Sequence, residues 1–267
     1  MLIATRGLMV FTILTAASFS QVSTGTINVE VQDSSGAIVP GAAIRLTHVS
    51  TGQTRQGQTN EAGLLRATFL PVGEYSVSAE AAGFKTKTIT RLILRIDQNT
   101  TIRVVLEPGE VREVIEVTGT APLLEASTSS VGQVIDSRRI HDMPLSGRNP
   151  FALGLLSGNT TPVWGQGTNL PFVGGGGRFT SNEVMLDGVD NNTVANDRNI
   201  GRSGIAFRPS VDAVQEFKVQ TNNFSAEFGQ SSGVVINATI RAGTNAFHGA
   251  LFEFLRNDKL DANNFFA

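Results

Sequence analysis

The chain has 267 residues, a formal net charge of −2 and no cysteine. A near-neutral balance without a long charge run disfavours nucleic acid and acidic lipid as partners. The absence of thiols excludes a disulfide framework, thiolate metal sites and a thiol nucleophile, and is compatible with either a reducing or an oxidising compartment.

At the N-terminus Arg6 supplies a positive flank, and "GLMVFTILTAASF" (Gly7 to Phe19) is an apolar run too short for an ordinary membrane anchor. Ser18 and Ser20 are small residues suited to cleavage before Gln21, so residues 1–20 read as a signal peptide. From Thr24 the period becomes two. "TINVEVQD" sets Ile27, Val29 and Val31 on one face, and "AAIRLTHV", "LLRATF", "EYSVSAEA" and "TIRVVLE" follow as further short strands. Asp33-Ser34-Ser35-Gly36 and Asn60-Glu61-Ala62-Gly63 are tight turns whose glycines accept positive φ. The pattern predicts a small β-sandwich ending near Pro108.

"EVREVIEVTGTAP" (Glu110 to Pro122) is strand-like but lies beyond that end. Val114, Ile115 and Val117 form the last strand of the sandwich or the first strand of the next sheet. Beyond it, Asp136 or Ser137 caps a short helix over "DSRRIHDMP". A turn containing Gly147 leads to a second helix, Asn149-Pro150 followed by "FALGLLSG", with a terminating glycine. The Gly-rich segment Val173 to Asn182 reads as a loop and "EVMLDGV" (Glu183 to Val189) as one strand. Pro209-Ser210 opens a helix over "VDAVQE"; "FKVQT" (Phe217 to Thr221), "GVVINATIR" (Gly233 to Arg241) and "FHGALFEFL" (Phe247 to Leu255) read as strands.

"GTINVEVQDSSGAIVPGAAIRLT" and "TNEAGLLRATFLPVGEYSVSAEAAGFK" resemble the carboxypeptidase regulatory-like domain, a non-catalytic seven-stranded sandwich. "VMLDGVDNN", "RPSVDAVQEFKVQTNNFSAEFGQSSGVVINATIRAGTNAFHG" and "LFEFLRNDKLDANNFF" resemble the plug and barrel start of TonB-dependent outer-membrane receptors of the Oar type. The resemblance implies a mainly β chain with an α+β part. Residues 21–108 would be the sandwich, 109–122 a linker, 123–246 a mixed α+β plug domain, and 247–267 the first strand of an outer-membrane barrel that encloses the plug with about 22 strands in full-length receptors. A bacterial barrel needs at least about eight strands of roughly ten residues. Residues 247–267 cannot close one, so a truncated receptor is expected, with a stand-alone secreted or periplasmic binding or adhesion module as the alternative.

The resemblance also implies energised uptake in the full-length parent and a place in the outer membrane, with the N-terminal domain on the periplasmic side. Glu113, Val114, Ile115, Glu116, Val117 and Thr118 resemble a TonB box, which would pair by β-augmentation with the C-terminal domain of TonB.

No enzymatic activity is expected. "GQSSG" (Gly229 to Gly233) has the G-x-S-x-G spacing around Ser231, but a nucleophile elbow runs strand, Ser, helix, and here a strand follows. His48, His141 and His248 have no local acidic pattern for a triad. Asp187 and Asp190 are weak candidates for a metal, lacking the alternation and late glutamate of an EF-hand loop. No cofactor is implied, since Gly174 to Gly177 lack the Lys-Ser/Thr that grips a nucleotide phosphate.

Overall fold

A computed structural model describes residues 24–109, 114–118, 130–163, 170–177, 181–192 and 205–247 apart from 226 and 230, with single positions 249, 251, 253, 257 and 259. The expected signal peptide, 1–20, lies outside the described residues. The chain is mainly β, with two packed regions and few helical turns.

The first region is the expected sandwich. Its strands are β1 (Thr24–Asp33), β2 (Ala43–His48), β3 (Thr54–Gln58), β4 (Leu64–Pro71), β5 (Gly73–Glu80), β6 (Thr86–Leu94) and β7 (Asn99–Leu106). A three-stranded sheet in the order β4-β1-β7 faces a five-stranded sheet in the order β3-β2-β5-β6-β8, where β8 is Val114–Thr118. Alternation does the work: Ile27, Val29 and Val31 of β1 are at most 1% exposed and meet Ile44, Leu46, Val77 and Leu94 in one core. Each such side chain contributes about 1.5–3 kcal/mol by burial. Asp33 Oδ1 accepts from the backbone N–H groups of Ser35 and Ala37, and Asn60 Oδ1 from those of Ala62 and Leu64, so both expected turns form.

The second region is built on a five-stranded mixed sheet, ordered β13-β12-β15-β14-β9. These strands are β9 (Val131–Asp136), β12 (Glu183–Leu186), β13 (Val189–Asp190), β14 (Val214–Asn222) and β15 (Val235–Ile240); a side ribbon pairs β10 (Thr160–Pro162) with β11 (Phe172–Gly174). Helix α1 (Ser137–Asp142) follows β9 directly, with Asp136 accepting from the Arg139 N–H as its N-cap. Pro150–Leu156 is a 3₁₀ helix capped by Asn149. A Cβ at Gly154 would overlap the Phe172 ring, so glycine there lets the 3₁₀ helix lie against β11. Phe151, Phe172, Phe217 and Ile236 are fully buried in this second core.

Three sequence expectations change. The helix over 211–216 is instead a short turn, closed by Ala213 N–H to Ser210 O, after which Val214 enters β14. Val214 and Phe217 gain more as fully buried strand residues than one helical turn would offer them. The single strand 183–189 is a hairpin: Asp187 (φ 50°) and Gly188 (φ 80°) both adopt positive φ, the requirement of a two-residue type I′ turn. Part of the Gly-rich loop is strand, since β11 ends at Gly174 before positive-φ Gly175 and Gly176. Of the strand expected over 247–255, positions 248, 250, 252, 254 and 255 lie outside the described residues; Phe247 and Leu251 are exposed and in no strand.

Candidate functional site

The segment beyond the sandwich has a defined place. β8 runs parallel to β6, with Val114, Ile115, Glu116, Val117 and Thr118 opposite Thr86, Lys87, Thr88, Ile89 and Thr90. Glu113 lies outside the described residues. The chain reaches this position by crossing from β6 through β7 in the opposite sheet, because a parallel pair cannot be joined by a hairpin. Of the three sequence readings, the backbone places these residues as the last strand of the sandwich. β8 ends the five-stranded sheet, so among the described residues one side of it pairs with β6 and the other carries no strand.

The far end of β6 carries the second element of the site. The turn Arg95–Gln98, between β6 and β7, docks on β14 of the second region. Ile96, fully buried, donates its N–H to Glu216 Oε1 at 2.5 Å. The Asp97 carboxylate accepts from Asn237 Nδ2 at 3.0 and 3.1 Å and from Gln220 Nε2 at 3.4 Å, while Lys218 Nζ donates to the Asp97 carbonyl at 3.5 Å. β14 thus turns Phe217 and Val219 into the second core and Glu216, Lys218 and Gln220 towards the sandwich turn, all buried. Burial raises the Glu216 carboxyl above its ordinary range, partly offset by the Ile96 N–H and Arg95. Burial likewise raises Asp97, offset by Asn237 and Lys218. A smaller contact joins Asn245 to the β2–β3 turn, through Nδ2 to Thr51 O at 3.1 Å. None of these junction residues was singled out in the sequence. The only signal was polar residues alternating with apolar ones in "EFKVQ", a pattern that a solvent-facing strand shares.

The other candidates serve local structure. Ser231 Oγ donates to the carbonyl of Ser181 (3.0 Å) or Val234 (3.1 Å), just ahead of β15. His48 is buried edge-on against Tyr75 at 5.0 Å, with Nδ1 at 3.0 Å from Thr51 Oγ1. His141 lies between Asp212 (3.7 Å) and Arg241 (2.8 Å); His248 lies outside the described residues. Asp187 Oδ1 accepts from the Ile240 N–H of β15 and Asp190 Oδ1 from the Asn192 N–H of its own turn, so both weak metal candidates hold backbone donors. Among the described residues no group of three or more His, Asp or Glu gathers around one point.

Residues 26–107 match the family model described as carboxypeptidase regulatory-like domain, and residues 239–267 match that of an outer membrane beta barrel domain. The barrel match thus begins within β15, ahead of the expected boundary at 247. A relative described as TonB-dependent transporter Oar, from Myxococcus xanthus, is 28% identical over 247 residues, covering 89% of this chain. The chain spans 22% of that relative's length. By these matches the chain is similar to a portion of a TonB-dependent outer-membrane transporter. They support an outer-membrane location and agree with a non-catalytic reading.

Solved structures show only partial likeness. The Bacillus anthracis TIE protein is 17% identical, with a TM-score of 0.28, covering 32% of this chain and 17% of that one. A mutant of Acinetobacter radioresistens catechol 1,2-dioxygenase is 14% identical, with a TM-score of 0.27, covering 36% of this chain and 58% of that one. No function is transferred from either.

Proposed function

We propose that the chain is the energy-coupling part of a TonB-dependent transporter: a regulatory-like sandwich over 21–108, a linker over 109–122 and a plug domain over 123–246, placed before a barrel. The sandwich faces the periplasm. Residues 1–20 direct export, and residues 113–118 are the contact for the TonB C-terminal domain. The observation that carries this reading is the place of β8, a five-residue strand at a sheet edge between two packed regions, paired on one side among the described residues. Such a strand exchanges partners by backbone hydrogen bonds alone: it rests on β6 and pairs with a sheet edge of TonB when coupling begins. Traction on the linker then acts at the base of β9, the first strand of the second sheet. The transported substrate is a property of the full-length protein.

The test is a titration of peptide Glu110 to Pro122 with the C-terminal domain of the cognate TonB. Saturable binding that Val117→Pro weakens is expected, because proline removes a backbone donor. Equal binding by the proline variant, or no binding by the parent peptide, rejects the assignment.

A further inference from the structure

A cleft of about 540 Å³ opens between the start of β1, the bulged end of β4, the 95–98 turn and the end of β14. That size and a place between two packed regions are those of ligand sites in general. Its most unusual residue is Phe69. The β1–β4 ladder slips at this point, stepping from Gly25↔Leu70 to Ile27↔Ala67, so β4 carries an extra residue opposite β1. Phe69 takes the left-handed conformation at this bulge, with φ 55°, and its side chain is exposed. Glycine is the residue that such a bulge position favours, and a bulky side chain there is strained. An exposed phenylalanine does nothing for the core, so the strained position presents an aromatic face at the cleft mouth instead.

The rest of the lining is hydrogen-bonding. Arg66, Asn99, Lys218, Gln220 and Asn223 contribute side chains. Lys218 is 5% exposed, yet among the described residues the one hydrogen bond of its side chain is the 3.5 Å contact to the Asp97 carbonyl. Its ammonium group has three N–H donors, so a buried cation is left with capacity for further acceptors. Arg66 and Lys218 are matched in charge by Asp97 and Glu227, also in the lining. That balance disfavours a polyanion. An aromatic face ringed by amide, guanidinium, ammonium and carboxylate groups suits a ligand that is neutral, flat-faced and dense in hydroxyls.

We propose that this cleft binds a neutral pyranose saccharide, one ring lying on Phe69 and its hydroxyls meeting Lys218, Asn223 and Arg66. The site is separate from β8 and does not depend on the partner of that strand. Isothermal titration of the full chain with chitohexaose and with maltohexaose tests it, the two arms separating an acetamido sugar from a plain glucan. Saturable binding of at least one, with Kd on the order of 0.1–1 mM, is expected. Phe69→Ala should lower that affinity at least about tenfold and Arg66→Ala about threefold, both side chains being exposed and dispensable to the core. Phe69→Gly should abolish binding while keeping or raising Tm, since glycine relieves the left-handed strain. The proposal is overturned if neither sugar saturates up to about 10 mM, if Phe69→Ala binds as the parent does, or if Phe69→Gly loses Tm.

Discussion

β14 brings nine residues to the interior of a sheet, buried on both faces, whereas β8 brings five to an edge that has, among the described residues, a neighbour on one side. Both touch the sandwich, and both do so near β6. β14 holds it through side chains: Glu216 and Gln220 reach the turn that β6 enters, and Phe217 anchors the strand from behind. β8 holds it through its backbone ladder, in the parallel arrangement that is slightly weaker per residue. A strand fixed by buried side chains resists removal, while one held by backbone bonds at an edge is interchangeable with any other edge. The chain therefore has a side-chain joint and a backbone-paired edge strand at two ends of the same strand, β6.

The largest separation between the two should come from Phe217→Ala. Phe217 is fully buried and stacks edge-on with Phe151 at 5.7 Å, so truncation is expected to destabilise the second region by about 3–5 kcal/mol in denaturant unfolding. The sandwich, with its own core, should unfold at its former midpoint; a shift of both transitions together would show that the two regions are one cooperative unit.

Glu216→Ala is expected to destabilise the joint less, by about 1–3 kcal/mol, because it leaves the buried Ile96 N–H without its acceptor. Glu216→Gln keeps an acceptor and isolates the charge. Glu216 and Asp97 both have folded pKa values raised above 4.5 and 3.8, so the folded state holds protons more tightly than the unfolded chain. Their contribution is fully present below those ordinary values and is lost as pH rises through the raised ones. Thermal unfolding across this range should show the joint strengthening on acidification, with a shallower slope in Glu216→Gln; an unchanged slope would remove Glu216 from the account.

Val117→Pro should have the smallest effect on stability, below about 1 kcal/mol, as expected for an edge strand. A loss comparable to that of Phe217→Ala would mean that β8 is as integral as β14.

The sandwich was legible where alternation and turn chemistry coincide: Ile27, Val29 and Val31 face one core, and Gly36 and Gly63 close their turns at φ 86° and 67°. β3, "TRQGQ", gave no such signal because it is an exposed edge without apolar alternation. β6 was hidden by polar Thr and Lys at its start and by a bulge opposite Tyr75 and Val77. The joint was invisible for a deeper reason. Glu216, Lys218 and Gln220 are buried by a turn distant in sequence, and local composition cannot tell a polar face covered by another domain from one covered by water. The place of β8 was only half legible: its strand character was plain, but its neighbour, β6, lies across a crossover.

The central claim is that β8 exchanges β6 for a partner's sheet edge. Thr88 and Glu116 are opposite one another in the ladder, and the chain has no cysteine, so Thr88→Cys with Glu116→Cys gives a single reversible cross-link. Binding of the TonB C-terminal domain to this variant should be lost when it is oxidised and return on reduction. Equal affinity in the oxidised and reduced states would contradict the exchange.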